Sequence, residues 1–212
     1  MFDMTGQNVL ITGSSKGIGK AIAQGMAAQG ANVVISSRKG DVCDAVAEEI
    51  NAAGGGKAVS IACNISHKEQ LENLVAQTHE QLGDIHTLIC NAAVNPHFGS
   101  LSTIEDSAFD KVLHCNITSN HWLCQMVLPE MIERKDGSII IGSRLHRQAG
   151  CPDGGHQVIT GFGKRRGNGR VYGPVRFDDM ILVFGRCVET GDKLVVRQTG
   201  QDAKEHRRGI LP

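Results

Sequence analysis

Five short runs of apolar, largely β-branched residues, each separated from the next by a stretch with helical spacing, constrain this chain more than any other feature. The runs are Asn8–Thr12 (NVLIT), Asn32–Ile35, Lys57–Ala62, His86–Cys90 and Gly137–Ile141 (GSIII). Between them lie Lys20–Gln29, closed by Gly30, and Asp41–Ala53, with Val42, Ala45, Val46 and Ile50 at helical spacing and Gly54-Gly55-Gly56 ending it. Lys68–Leu82 follows, with Ser66 as its expected cap and Gly83 as its stop, and then a long helical pattern from about Ser107 to Arg134. The strands are continuously apolar rather than alternating, so both faces of their sheet must be covered. The expected fold is therefore α/β, a doubly wound, Rossmann-like parallel sheet with right-handed crossovers.

The first strand runs into Thr12-Gly13, and glycines recur at Gly17 and Gly19 where the first helix opens. Glycine permits a tight turn and a close approach of backbone to ligand, and the free N–H groups of the helix start then face an anion. In a strand–turn–helix setting this pattern is a phosphate-binding turn for a dinucleotide. An NAD site places Asp or Glu about 20 residues past such a turn to hold the ribose 2′-OH. Here Ser37 and Arg38 stand in that place, and Lys16 adds a positive charge inside the turn. A guanidinium pairs well with a 2′-phosphate, so NADP(H) is the expected cofactor and NAD(H) the less favoured one. Asp41, the other acid nearby, reads as the start of the second helix.

The pattern stops at residue 143. Residues 1–143 carry 9 Lys+Arg against 15 Asp+Glu, whereas residues 144–212 carry 13 against 7. Fifteen alanines precede that point and two follow it, ten of the twelve arginines lie beyond it, and helical periodicity disappears. This divides the 212 residues into a nucleotide-binding domain, 1–143, and a divergent Gly/Arg-rich segment, 144–212. Within the second part, Met180–Cys187 and Lys193–Gln198 read as a β-hairpin over about 180–198, and Asp202–Pro212 as a polar tail. A reading-frame change near codon 143 would account for the simultaneous shift in Arg, Ala and Gly. Sequencing the coding DNA there tests it, since the idea fails if no alternate frame encodes the missing elements.

Composition removes other classes of function. At 41% hydrophobic residues the chain can build a core, and its balanced charge of +0 argues against nucleic-acid binding through overall basicity. The basic stretch Lys164–Arg170 lacks interleaved aromatics and reads as a solvated loop. Seven cysteines without a CxxC pair fit reduced thiols better than disulfides or zinc. His114, Cys115 and His121 fall in a helical region as packing or surface residues, so no metal centre is expected. No apolar run approaches 18 residues and MFDMTGQ does not read as a signal peptide, so a cytoplasmic chain with no membrane partner is expected. The sequons at Asn64 and Asn116 would then never be glycosylated.

TGSSKGIG at 12–19 resembles the nucleotide turn of the short-chain dehydrogenase/reductase family, and the resemblance continues to about Ser143. It implies cofactor contacts from Gly13, Ser15, Lys16, Gly17, Ile18 and Gly19. Cys90-Asn91-Ala92-Ala93 is similar to the family's Asn-Asn-Ala-Gly segment, with Cys and Ala at its first and last places, and implies Asn91, Ala92 and Ala93 beside the cofactor. Asn64 stands where the family usually has an aspartate near the adenine. Asn116, in N-x12-P-x-M with Pro129, falls where the family has its helix asparagine, which holds a proton-relay water. Ser36–Lys39 and Asn91–Asn95 look most like the carbonyl-reductase-type branch.

The resemblance implies an NADP(H)-dependent oxidoreductase that interconverts a carbonyl and a secondary alcohol, a small-molecule substrate, and a homo-oligomer. Ser143 matches the family's carbonyl-orienting serine if the fifth strand is one residue short, since straight counting puts Arg144 there. The family's general acid/base is a tyrosine with a lysine four residues on, and no YxxxK exists in this sequence. His156 stands near the expected position; the one tyrosine, Tyr172, is followed by Gly173 and Pro174, which break the helix that would bring Arg176 beside it. Residues 144–178 also lack the family's further strands and helices, which would leave the fifth strand with an open neighbour position. The catalytic candidates are thus Asn116 and Ser143. The alternative to an impaired enzyme is a non-catalytic nucleotide-binding protein or a truncated or frame-shifted remnant of the family.

Overall fold

The computed structural model describes residues 3–143 and 181–186. Strands β1 (Asn8–Thr12), β2 (Asn32–Ser36), β3 (Ala58–Ser60), β4 (Thr87–Cys90) and β5 (Ser138–Ser143) alternate with helices α1 (Gly17–Ala27), α2 (Gly40–Ala53), α3 (Lys68–Leu82), α4 (Asp106–Leu113) and α5 (Ser119–Arg134). These five strands pair in parallel in the order β3-β2-β1-β4-β5. Reversing direction across the sheet about β1 is what a doubly wound fold requires.

Side-chain alternation sends each strand's residues to two separate cores. Val9, Ile11, Val33, Ile35, Ile89 and Ile140 face Ala23 and Ala27 of α1 and Cys43, Val46, Ala47 and Ile50 of α2. Leu10, Val34, Val59, Leu88 and Cys90 face Leu71, Leu74 and Val75 of α3 and Leu123, Val127 and Met131 of α5. Both sides of β1 and β2 are therefore dry, which explains why their sequences show no polar alternation.

Three expectations are corrected. Ser66 does not cap α3: the residue at the cap is His67, without a side-chain bond, and the Ser66 hydroxyl lies 3.1 Å from Cys115 Sγ instead. The long helical pattern is two helices joined by a π turn, His114–Thr118, where the chain is wound one residue wider per turn. The edge of β5 is not open. Strand β6 (Ile181–Arg186) pairs with it antiparallel, from Ser138 opposite Arg186 to Ser143 opposite Ile181, making a six-stranded sheet. The first run of the expected hairpin is thus a strand, and its neighbour is β5; Lys193–Gln198 lies outside the described residues.

At the amino edge of the sheet, buried Asn8 braces three segments. Its Nδ2 donates to the Leu82 and Asp84 carbonyls at 2.7 and 2.9 Å, its Oδ1 accepts from Asn32 Nδ2 at 2.9 Å, and its backbone N–H donates to His86 Nδ1 at 3.1 Å. Only a neutral imidazole can accept that last bond. Burial, followed by the Arg134 charge, lowers the His86 pKa below its ordinary 6.5. A depressed histidine contributes stability above pH 6.5 that is lost as pH falls below 6.5 toward the folded value. The expected outcome is a melting temperature that drops across that interval, with a shallower drop in His86→Gln, measured by thermal unfolding at a series of pH values.

Candidate functional site

The carboxyl ends of the parallel strands carry every described residue singled out for the site. The turn after β1 is shaped by contact. Gly13 adopts φ +68, and a Cβ there would come within 2.9 Å of the Ala92 Cα. A Cβ on Gly19 would collide with the Gly13 carbonyl and come within 2.5 Å of Asn91 Nδ2. The glycines therefore let α1 and the segment past β4 close on the turn from both sides.

Polar side chains lock this arrangement. The buried Thr12 hydroxyl accepts the Asn91 and Ala92 N–H groups, both at 3.1 Å. Asn91 Nδ2 donates back to the Thr12 and Gly13 carbonyls at 3.0 and 3.1 Å. Ser14, fully buried, donates its hydroxyl to the Ile11 carbonyl and accepts the Ser36 N–H, each at 2.8 Å, tying the turn to the end of β2. Thr12 and Ser14 were not among the residues the sequence singled out; the hydroxyl types within the motif were the only signal. Helix α1 begins at Gly17 after extended Lys16 with no side-chain cap, so its first N–H groups are left for another acceptor. Ser15 is half-buried beside them, and Ile18 presents an exposed apolar face.

Arg38 and Lys16 are exposed, and neither forms an ion pair with another described residue. Two guanidinium and ammonium groups so placed can receive a phosphate without first breaking a bond. Asn64 heads the loop after β3, its Oδ1 accepting the Ser66 N–H at 3.2 Å and its N–H donating to Gln70 Oε1 at 2.8 Å. Ala93 is exposed past Asn91 and Ala92.

Asn116 sits in the π turn and exchanges both hydrogen bonds of its amide with the Val94 backbone: Val94 N–H to Oδ1 at 2.9 Å, and Nδ2 to the Val94 carbonyl at 3.0 Å. Its own carbonyl accepts Asn120 Nδ2 at 2.8 Å. The asparagine is thereby joined through Val94 to Asn91–Ala93. Ser143 ends β5 two residues after Ile141, which is paired with Cys90, so its backbone lies at the same edge. Arg144, His156, Tyr172 and Lys164–Arg170 lie outside the described residues. Beneath this surface, the Cys90 thiol is held well above its ordinary range by its hydrogen bond to Cys124 and by burial, and burial pushes Cys63 up to about 11. Both stay protonated and pack as small apolar groups.

Comparison with known proteins agrees with this geometry. The family model described as short chain dehydrogenase matches residues 7–152. Dehydrogenase/reductase SDR family member 4 of Bos taurus is 38% identical over 151 residues, covering 71% of this chain and 54% of the relative. The human mitochondrial dehydrogenase/reductase SDR family member 2 is 38% identical over 134 residues, covering 63% of this chain and 48% of the relative. The chain thus spans about half the length of the curated relatives it matches. Among solved structures, a metagenomic short-chain oxidoreductase in complex with NADP superposes with TM-score 0.60 at 34% identity, covering 64% of this chain and 61% of that one. Hydroxysteroid dehydrogenase from Escherichia coli gives TM-score 0.60 at 31% identity, covering 65% and 55%. No helix among the described residues is long and apolar enough to cross a membrane.

The contacts of the turn separate two glycines of the same helix. Gly19→Ala forces α1 away from Gly13 and Asn91 and is expected to cost about 1–3 kcal/mol. Gly25→Ala, with nothing within 4 Å of its Cβ, is expected to stabilise by about 0.4–1 kcal/mol. Denaturant unfolding of both variants checks the pair.

Proposed function

The chain belongs to the short-chain dehydrogenase family, and from that premise we propose that it binds NADP(H) along the carboxyl edge of its sheet and is an oxidoreductase of the carbonyl/alcohol type with an incomplete proton-transfer apparatus. The observation that carries this reading is the glycine turn closed between Asn91–Ala92 and the uncapped start of α1. Such a cradle fits a pyrophosphate, because backbone N–H groups and the helix dipole meet the charge while no Cβ blocks it. When bound, the nicotinamide supplies or accepts the hydride.

The chain's own residues would then act around it. Arg38 and Lys16 hold the 2′-phosphate, and Asn64 stands at the adenine side. Thr12 and Asn91 fix the floor under the nicotinamide. The side chain of Asn116 is committed to Val94, so it shapes the loop, while its carbonyl keeps a second lone pair for a water. Ser143 is the residue placed to orient a substrate oxygen. A phenol has a pKa of about 10 and needs a cationic neighbour to work near pH 7, and this sequence has no Tyr–Lys pair at that spacing. That absence favours the second reading, a nucleotide-binding protein without turnover.

Fluorescence titration with NADPH and NADH separates these. NADPH should bind more tightly, and Arg38→Asp should reverse the order at a cost of roughly 1.5–3 kcal/mol for the lost charge-assisted bond; equal affinities in the unmodified chain would contradict the assignment. Carbonyl reduction should run at least about 10²-fold below that of a relative with the Tyr–Lys pair. Robust turnover that is lost in Tyr172→Phe would make Tyr172 the acid, and turnover that survives it would point to His156.

A further inference from the structure

We propose that Ser66 and His114 are positioning residues that couple the adenine end of the dinucleotide site to Asn116, through three consecutive residues of the π turn. The proposal rests on the reading that the carboxyl edge binds a nicotinamide dinucleotide. With the pyrophosphate at the turn after β1 and the 2′-phosphate at Arg38 beyond β2, the strand order β3-β2-β1-β4-β5 puts the adenosine toward β3 and the nicotinamide toward β4 and β5. The loop Asn64–Ser66, just past β3, thus lies at one end of the ligand and Asn116 at the other.

The two ends are joined by four hydrogen bonds. The Ser66 N–H donates to Asn64 Oδ1 at 3.2 Å, so the serine follows the asparagine. The Ser66 carbonyl accepts His114 Nε2 at 3.0 Å, and the Ser66 hydroxyl meets the buried Cys115 Sγ at 3.1 Å. The next residue, Asn116, is bonded to the Val94 backbone in both directions. Helix α3 is capped by none of this, which leaves Ser66 to serve the π turn.

The turn itself can respond. A π turn holds one residue more than an α turn and stays open only while its side chains are engaged elsewhere. His114, Cys115 and Asn116 are engaged with two different loops, so fixing the Asn64–Ser66 loop selects the wide turn and with it the position of Asn116. His114 is further held edge-on against Trp122, with ring centroids 5.3 Å apart and planes at 83°. Lys68 Nζ sits 6.0 Å from the centre of the same indole. Trp122 is the chain's one tryptophan, which makes it a built-in reporter on the His114–Ser66 link.

Adenosine 2′-phosphate, the adenine half of the cofactor alone, tests the coupling on the full 212-residue chain. Calorimetry follows its binding, Trp122 emission follows His114, and the ¹⁵N side-chain amide of Asn116, assigned with Asn116→Leu, follows the far end. Saturation with the probe should shift both the emission and the Asn116 amide. The double variant Ser66→Ala, His114→Phe should bind the probe with unchanged affinity and lose the Asn116 shift, while Ser66→Thr, which keeps the hydroxyl, should retain it. Binding without any Asn116 shift in the unmodified chain overturns the coupling alone, as does a shift that persists in the double variant. Absence of binding by calorimetry overturns the dinucleotide reading, and the coupling with it. Should the double variant not fold, the unmodified chain and Ser66→Thr still decide the matter by the same resonance.

Discussion

The reciprocal bonding between Thr12 and Asn91 is the constraint on which the rest of the site depends. Two adjacent parallel strands end there, and without a fastening their exits would diverge as the sheet twists. One hydroxyl takes two backbone N–H groups and one carboxamide gives two bonds back. Losing either side chain would leave buried donors or acceptors unpaired, at about 1–3 kcal/mol each. Because Gly13 and Gly19 carry no side chains, the fastening also sets how near α1 may come, and so the width of the anion cradle.

The two cores show how this edge is supported. Each interior strand lends alternate residues to opposite layers, so the position of α1 over one face and α5 over the other is determined by the same backbone. Asn8 and His86 do for the amino edge what Thr12 and Asn91 do for the carboxyl edge, with the difference that an imidazole acceptor makes that end sensitive to acid. The strands are thus pinned at both ends, and the rows of Val, Ile and Leu between them need only fill space.

The strand–helix alternation and the glycine turn were legible because they depend on local rules: apolar continuity, helical spacing and the absence of a Cβ. Asn116 was legible only as a position within a resembling pattern, since nothing in a 3.6-residue period announces a π turn; the apolar spacing of Val112, Cys115 and Leu123 looks like one helix to within a residue. Ser66 misled for a related reason. A serine two residues before a helix satisfies the capping pattern, but its hydroxyl found a partner 49 positions away. Thr12 and Ser14 escaped notice because their partners are backbone groups, which carry no sequence signature. The antiparallel arrival of β6 was beyond any local rule, as strand direction is decided by the chain between the strands.

The π turn also limits what insertion and deletion can do to this chain. Removing one residue from His114–Thr118 would restore ordinary α winding with little loss of backbone bonding, yet everything after it would rotate by about 100° relative to α4. Leu123, Val127 and Met131, now against β4, would swing off the sheet, and polar positions of α5 would take their place. Length drift, tolerated in surface loops, is therefore closed to this segment: a lineage can change its residues one at a time but cannot easily change their number.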